Sequence, residues 1–253
     1  MPGPIRDETD LLARLRENEE IVAALRDQAG MAQRLARASR EEALRVIESI
    51  GEWHGPDPVL EDQFCRMLDL GDEALACAIF EATTLSPKNH GLVDRATAAL
   101  DSPSPKLRAA ALAALGIGDL DLLAIPGLRE KIASLASDAD GGVRQCVAFA
   151  LGRCSPDVVA PLLEDPDDHV RYAALSRLVD VPEYARLAET VALRLVLDPS
   201  AERGPRLDAA DFLRTEDERR AAHAFLASQG IGDAPKPGDR FFSGADRDGE
   251  GLN

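Results

Sequence analysis

The chain has 253 residues, 45% of them apolar, with 29 Lys and Arg against 45 Asp and Glu for a formal charge of −16. That apolar content suffices for buried cores and excludes a wholly disordered chain, while a pI near 4.7 denies the chain the basic stripe that nucleic acid requires. Aromatic residues make up only 4%, with Ala and Leu dominating the apolar content, a composition suited to close helix packing and an all-α fold.

Residues 1–38 carry apolar residues at helical spacing, Leu11/Leu12/Leu15 and Ile21/Val22/Leu25. They are predicted to form an N-terminal helical cap, because the first unit of a repeat array must cover its apolar face. Ser39 with Glu42 predicts a capping box. Trp53 and His54 fall in the turn GEWHGPDP and serve either as a hydrophobic lid on the first hairpins or as a partner hot spot.

Three segments then superimpose without gaps: KLRAAALAALG (106–116), GVRQCVAFALG (142–152) and HVRYAALSRLV (169–179). Arg108, Arg144 and Arg171 anchor them, seven residues before Leu115, Leu151 and Leu178, and Ala or slim residues fill most of the positions that close helix contact needs. The same template extends to Ala43, Leu75 and Arg206, with anchor spacings of 32, 33, 36, 27 and 35. A partner helix is predicted near 59–69, 91–100, 125–137, 156–164, 183–197 and 215–228 from apolar residues three and four apart. Prolines such as Pro87, Pro105, Pro156, Pro182 and Pro205 mark the joints. Gly116 and Gly152 are read as helix ends needing left-handed backbone. From Gln229 the sequence turns to Gly, Pro and Asp and reads as a flexible tail over 229–253. Phe241 and Phe242 interrupt it, and either dock on the solenoid or a partner, or are incidental.

These residues resemble the HEAT-repeat family and its bacterial, lyase-type HEAT-like relatives; LLEDPDDHVRYAAL (162–175) looks like the family signature. Asp138 and Asp165 stand six residues before Arg144 and Arg171 in a shared D-x-D-x-x-V-R frame, and Ser102 replaces the acid before Arg108. The resemblance implies a right-handed α-solenoid of HEAT-like hairpins over 39–228. It further implies that Asp and Arg stack in a ladder between repeats, here Arg108, Asp138, Arg144, Asp165, Arg171 and Arg206, with the Asp also capping a helix. For function it implies a tendency toward protein binding.

Complete catalytic and metal motifs are missing from the sequence. Cys65, Cys77, Cys146 and Cys154 form no C-x-x-C, and His54, His90, His169 and His223 lie in separate units. Cys146 occupies the slim position held by Ala110 and Ala173, so it reads as core. Residues 41–228 carry −14 and hold a single tryptophan, which argues against a HEAT-like DNA glycosylase.

The remaining candidate is a groove on the second helices, where positions one and five after the anchor share a face. It would hold Phe80, Phe149 and Tyr172, widened by Ile79, Leu112 and Leu175 and bordered by His169 and Arg177; the alternative is that helix packing buries these rings. The sequence thus predicts a non-catalytic scaffold or adaptor, without cofactor or metal, that binds a protein, peptide or helix. Its charge favours basic partners over nucleic acid or membrane, and the expected compartment is a bacterial-type cytoplasm. The rival reading is a HEAT-like lyase or enzyme subunit acting on a small molecule.

Overall fold

The computed structural model describes residues 28–50, 53–54, 58–117, 121–152 and 154–232. Among them the chain is a succession of thirteen α-helices, and the fold is an all-α helical solenoid. It divides into two compact units, Met1–Arg95 and Ala96–Asn253.

In the first unit, α1 (Gln28–Arg37) packs on α3 (Pro58–Leu68), and α2 (Arg40–Ile50) packs on α4 (Glu73–Ala82). Leu35, Ile47, Leu60, Phe64, Ile79 and Phe80 are buried, so the apolar spacing read from the sequence converts directly into core. Asp72 caps α4 by accepting from the Leu75 amide at 3.1 Å, and Arg40 grips the same carboxylate. Glu61 accepts from Asn89 Nδ2 at 3.0 Å and from the Gly91 amide at 3.1 Å, serving the start of α5 (His90–Ala99). Ser39 Oγ meets the Glu42 amide at 3.4 Å, one half of the predicted capping box. Two extended dipeptides, Trp53–His54 and Thr83–Thr84, pair in parallel. Residues 1–27, which hold most of the predicted cap, and 233–253, which hold Phe241 and Phe242, lie outside the described residues.

The second unit contains α6 (Pro105–Ile117), α7 (Leu128–Ser134, continued as a 3-10 turn), α8 (Gly141–Leu151), α9 (Pro156–Val159, likewise continued) and α10 (Asp168–Leu178). There follow α11 (Ala185–Leu197), α12 (Arg203–Ala210) and α13 (Glu216–Ser228). The anchored helices α6, α8 and α10 stack side by side, and their small residues set the spacing. Gly116 and Gly152 do not take left-handed backbone: Gly116 lies inside α6, and Gly152 has φ −53° and ψ −37°. Glycine is required there for close approach. A Cβ on Gly116 would stand 2.8 Å from Ala150 Cα and Cβ, and one on Gly152 would stand 2.3 Å from Arg177 Cβ. Each glycine is eight residues past its own anchor and faces the residue six past the next anchor, so one contact recurs along the stack.

Candidate functional site

The turn before each anchored helix repeats a set of hydrogen bonds. Ser102, Asp138 and Asp165 accept from the backbone amides of Ser104, Asp140 and Asp167 at 3.1, 2.9 and 2.9 Å. The helix itself is capped two residues further on, where Ser104, Asp140 and Asp167 accept from Leu107, Val143 and His169 with Val170. The expectation that Asp138 and Asp165 cap helices is therefore corrected: they close the turn, and the next polar residue caps. Arg108, Arg144 and Arg171 each donate from Nη1 to the carbonyls six and five residues back, at 2.8 and 3.2–3.3 Å.

The other edge of the guanidinium forms the ladder. Arg108 holds Asp138 bidentately through Nε and Nη2 at 2.9 and 2.8 Å, and Arg144 holds Asp165 at 2.8 and 2.8 Å. Burial acts to raise both carboxyls, but the arginine hydrogen bonds and the turn amides outweigh it and hold Asp138 and Asp165 below the usual carboxylate range. The hydrogen bond to Asp165 in turn raises Arg144.

Two predicted rungs differ. Arg171 pairs with Asp168 in its own first helical turn, while Asp198 is occupied by Ser200, whose amide and hydroxyl donate to it at 2.8 and 2.6 Å. Arg206 is no rung. Two extra residues after Asp198 move that acid from six to eight positions before the anchor, and the buried guanidinium of Arg206 instead donates to Val196 O at 3.3 and 3.0 Å and to Gln229 Oε1 at 2.9 Å. It ties the end of α11 to the end of α13.

The predicted groove is only partly assembled. Phe80 is 2% exposed and belongs to the core of the first unit. Leu112 and Leu175 are both fully buried, because adjacent anchored helices cover the flank that carries position four after the anchor. Phe149 and Tyr172 are half-buried and each ring is partly covered. The Arg177 guanidinium sits over Phe149 at 5.1 Å from the ring centroid, and Tyr172 meets Phe212 at 6.0 Å and 53°. His169 is exposed, with Nε2 3.0 Å from Glu202. Burial raises the half-buried Cys146 thiol. Among the described residues no three His, Cys, Asp or Glu side chains are placed to hold a metal ion.

A different apolar surface is exposed between α11 and α13. Leu193, Leu197 and Phe225 are 47%, 52% and 36% exposed and border a cleft of about 540 Å³, floored by Val196, Leu213 and Ala222 and edged by Glu189 and Glu218. Thr215 and Glu218 form a full capping box at the start of α13, which commits the Glu218 carboxylate to Thr215. Sequence reasoning passed over this cleft because it placed the groove on the second helices. A signal was present in VALRLVL (191–197), whose apolar residues run round more of the helix than one buried stripe needs.

The HEAT repeats family matches residues 93–178, the span that contains the two bidentate rungs and the glycine contacts. The segment 93–178 carries HEAT repeats. No characterised protein matches the sequence. HEAT repeats commonly act as protein-interaction scaffolds. Among the described residues no helix is long and apolar enough to cross a membrane.

Proposed function

We propose that the protein is a non-catalytic scaffold whose α11/α13 cleft takes an apolar face of a protein partner, a helix or short peptide. The observation that carries this reading is the cleft itself, where three large, exposed apolar side chains converge on one concave surface. Its lining is mostly apolar, and of the two carboxylates at its edge Glu218 is held by the capping box. The carboxylate edge and the charge of −16 favour a partner with basic residues beside its apolar anchors.

The test is affinity capture from native extract with the full chain, a Leu193→Asp/Phe225→Asp variant and a Phe149→Asp/Tyr172→Asp variant, each checked for folding by circular dichroism. The reading expects a partner retained by the wild type and by the Phe149/Tyr172 variant and lost from the Leu193/Phe225 variant. Equal capture by wild type and a folded Leu193/Phe225 variant refutes it.

A further inference from the structure

The last described helix delivers the chain to one end of the α11/α13 cleft. Arg206 donates both to Val196 O, beside the cleft floor, and to Gln229 Oε1, just past α13, so the two helices finish side by side. There the Gly230 amide donates to Ala227 O at 3.0 Å and the Ile231 amide to Leu226 O at 2.9 Å. Gly230 has φ 76°, a left-handed close that turns the chain off the helix axis. Ile231 therefore stands beside Leu226, the neighbour in sequence of Phe225 on the cleft wall.

The sequence that follows, 233–253, complements the cleft. Its large apolar side chains are Phe241, Phe242 and Leu252, and Arg240 directly precedes the two phenylalanines. Over 236–242 two bases, Lys236 and Arg240, stand against the single acid Asp239, in a chain whose overall charge is −16. The cleft offers the opposite: exposed Leu193, Leu197 and Phe225 for apolar rings, and Glu189 and Glu218 at its edge for a base beside them. The length also fits. Nine residues lead from Gly232 to Phe241 and span up to about 30 Å. Glu189 to Leu197 measures about 12 Å along α11, and rounding a helix adds about 10 Å.

We infer that the cleft is occupied by the chain's own C-terminal segment, with Phe241 and Phe242 on Leu193, Leu197 and Phe225 and Arg240 at the carboxylate edge. A partner then binds by displacing the tail. The inference rests on the reading of the cleft as a docking surface and adds its resident occupant. A ligand tethered this closely has an effective concentration on the order of 1 mM. A tail with a free-peptide Kd of about 0.1 mM therefore fills the cleft about nine-tenths of the time and weakens any added competitor about 10-fold.

The test uses the full chain with ¹³C-labelled leucine methyls, Leu193 and Leu197 being assigned by Leu193→Ile and Leu197→Ile. The comparison is wild type against Phe241→Ser/Phe242→Ser, which leaves every described helix unaltered, and the added probe is a synthetic peptide of residues 233–247. The expected result is that the Leu193 and Leu197 signals differ between the two chains. The peptide should move them saturably in the Phe241/Phe242 variant toward their wild-type positions, and bind wild type about 10-fold more weakly. Identical signals in the two chains overturn the inference; if the peptide still shifts both equally, the cleft remains a docking surface and only the resident tail is lost. Differences that vanish on dilution assign the tail to a second copy and also overturn it. A peptide that moves neither chain overturns it as well, and the capture experiment then decides the cleft on its own.

Discussion

Removing the Asp165 carboxylate is the sharpest test of the ladder. Its side chain is 6% exposed and that of Arg144 is 13% exposed. Asp165→Ala deletes two bonds to Arg144 of 2.8 Å each and the bond from the Asp167 amide at 2.9 Å. Arg144 keeps its two carbonyl acceptors but loses its counter-ion. Breaking one side of such a pair costs about 3–5 kcal/mol; the retained carbonyl bonds place this case near the lower end, at about 3 kcal/mol. Asp165→Asn keeps an acceptor for the turn amide and should cost about 1–2 kcal/mol. The Arg144→Met/Asp165→Leu double variant leaves no orphaned charge and should be milder than the sum of its singles by at least about 1.5 kcal/mol.

Because repeat arrays need not unfold as one unit, the assay is native-state hydrogen exchange of α8 and α10 amides alongside urea unfolding. The pH dependence has a definite sign. A carboxyl depressed in the folded state contributes stability that is present above the unfolded value, near 3.9, and is lost as pH falls through the lower folded value. Wild type should therefore lose protection below about pH 4, with a shallower loss in Asp165→Asn. A cost under about 1 kcal/mol for Asp165→Ala, or additive single substitutions, would refute the claim that the rung couples the repeats.

Other consequences can be checked on the same footing. Gly116→Ala forces a Cβ into Ala150 and should destabilise by about 1–3 kcal/mol in thermal or urea unfolding, whereas a glycine kept only for backbone freedom in a helix would give a gain. Phe80→Ala, at 2% exposure, should cost about 3–5 kcal/mol, and a tolerant response would return Phe80 to the surface. Thr215→Ala removes the capping box of α13 and should cost about 1 kcal/mol, read as faster exchange of the first α13 amides. Leu193→Asp and Phe225→Asp, at exposed positions, should change stability by no more than about 0.5 kcal/mol; large losses would make the cleft part of the core.

The local chemistry of the repeats was legible because it depends on near neighbours. Arg108, Arg144 and Arg171 reach carbonyls only five and six residues back, so a fixed frame in the sequence carries a fixed geometry in the turn. Arg219 makes the same local bonds without the frame, since Leu213 stands where the acid would be. The template places its anchor on the second helix of each hairpin, and Arg219 falls on the partner helix predicted near 215–228, so the template passes over it. Arg206 errs in the other direction: it fits the spacing, but two extra residues redirect its guanidinium to α11 and α13.

By itself the sequence determined the helix count per repeat, the positions of the joints and the apolar faces, since each follows from periodicity or from contacts within a single turn; the rungs were implied by the family resemblance, and of the arginines it named, Arg108 and Arg144 reach an acid of the next repeat. Only the tertiary structure decided which flank of a helix is covered. Leu112 and Leu175 carry the residue type of a groove wall, yet neighbouring anchored helices bury them; Leu193, Leu197 and Phe225 carry the residue type of a core, yet stand open between α11 and α13. Exposure at these positions depends on what packs alongside from another repeat, and that relation between distant segments is written in no local pattern.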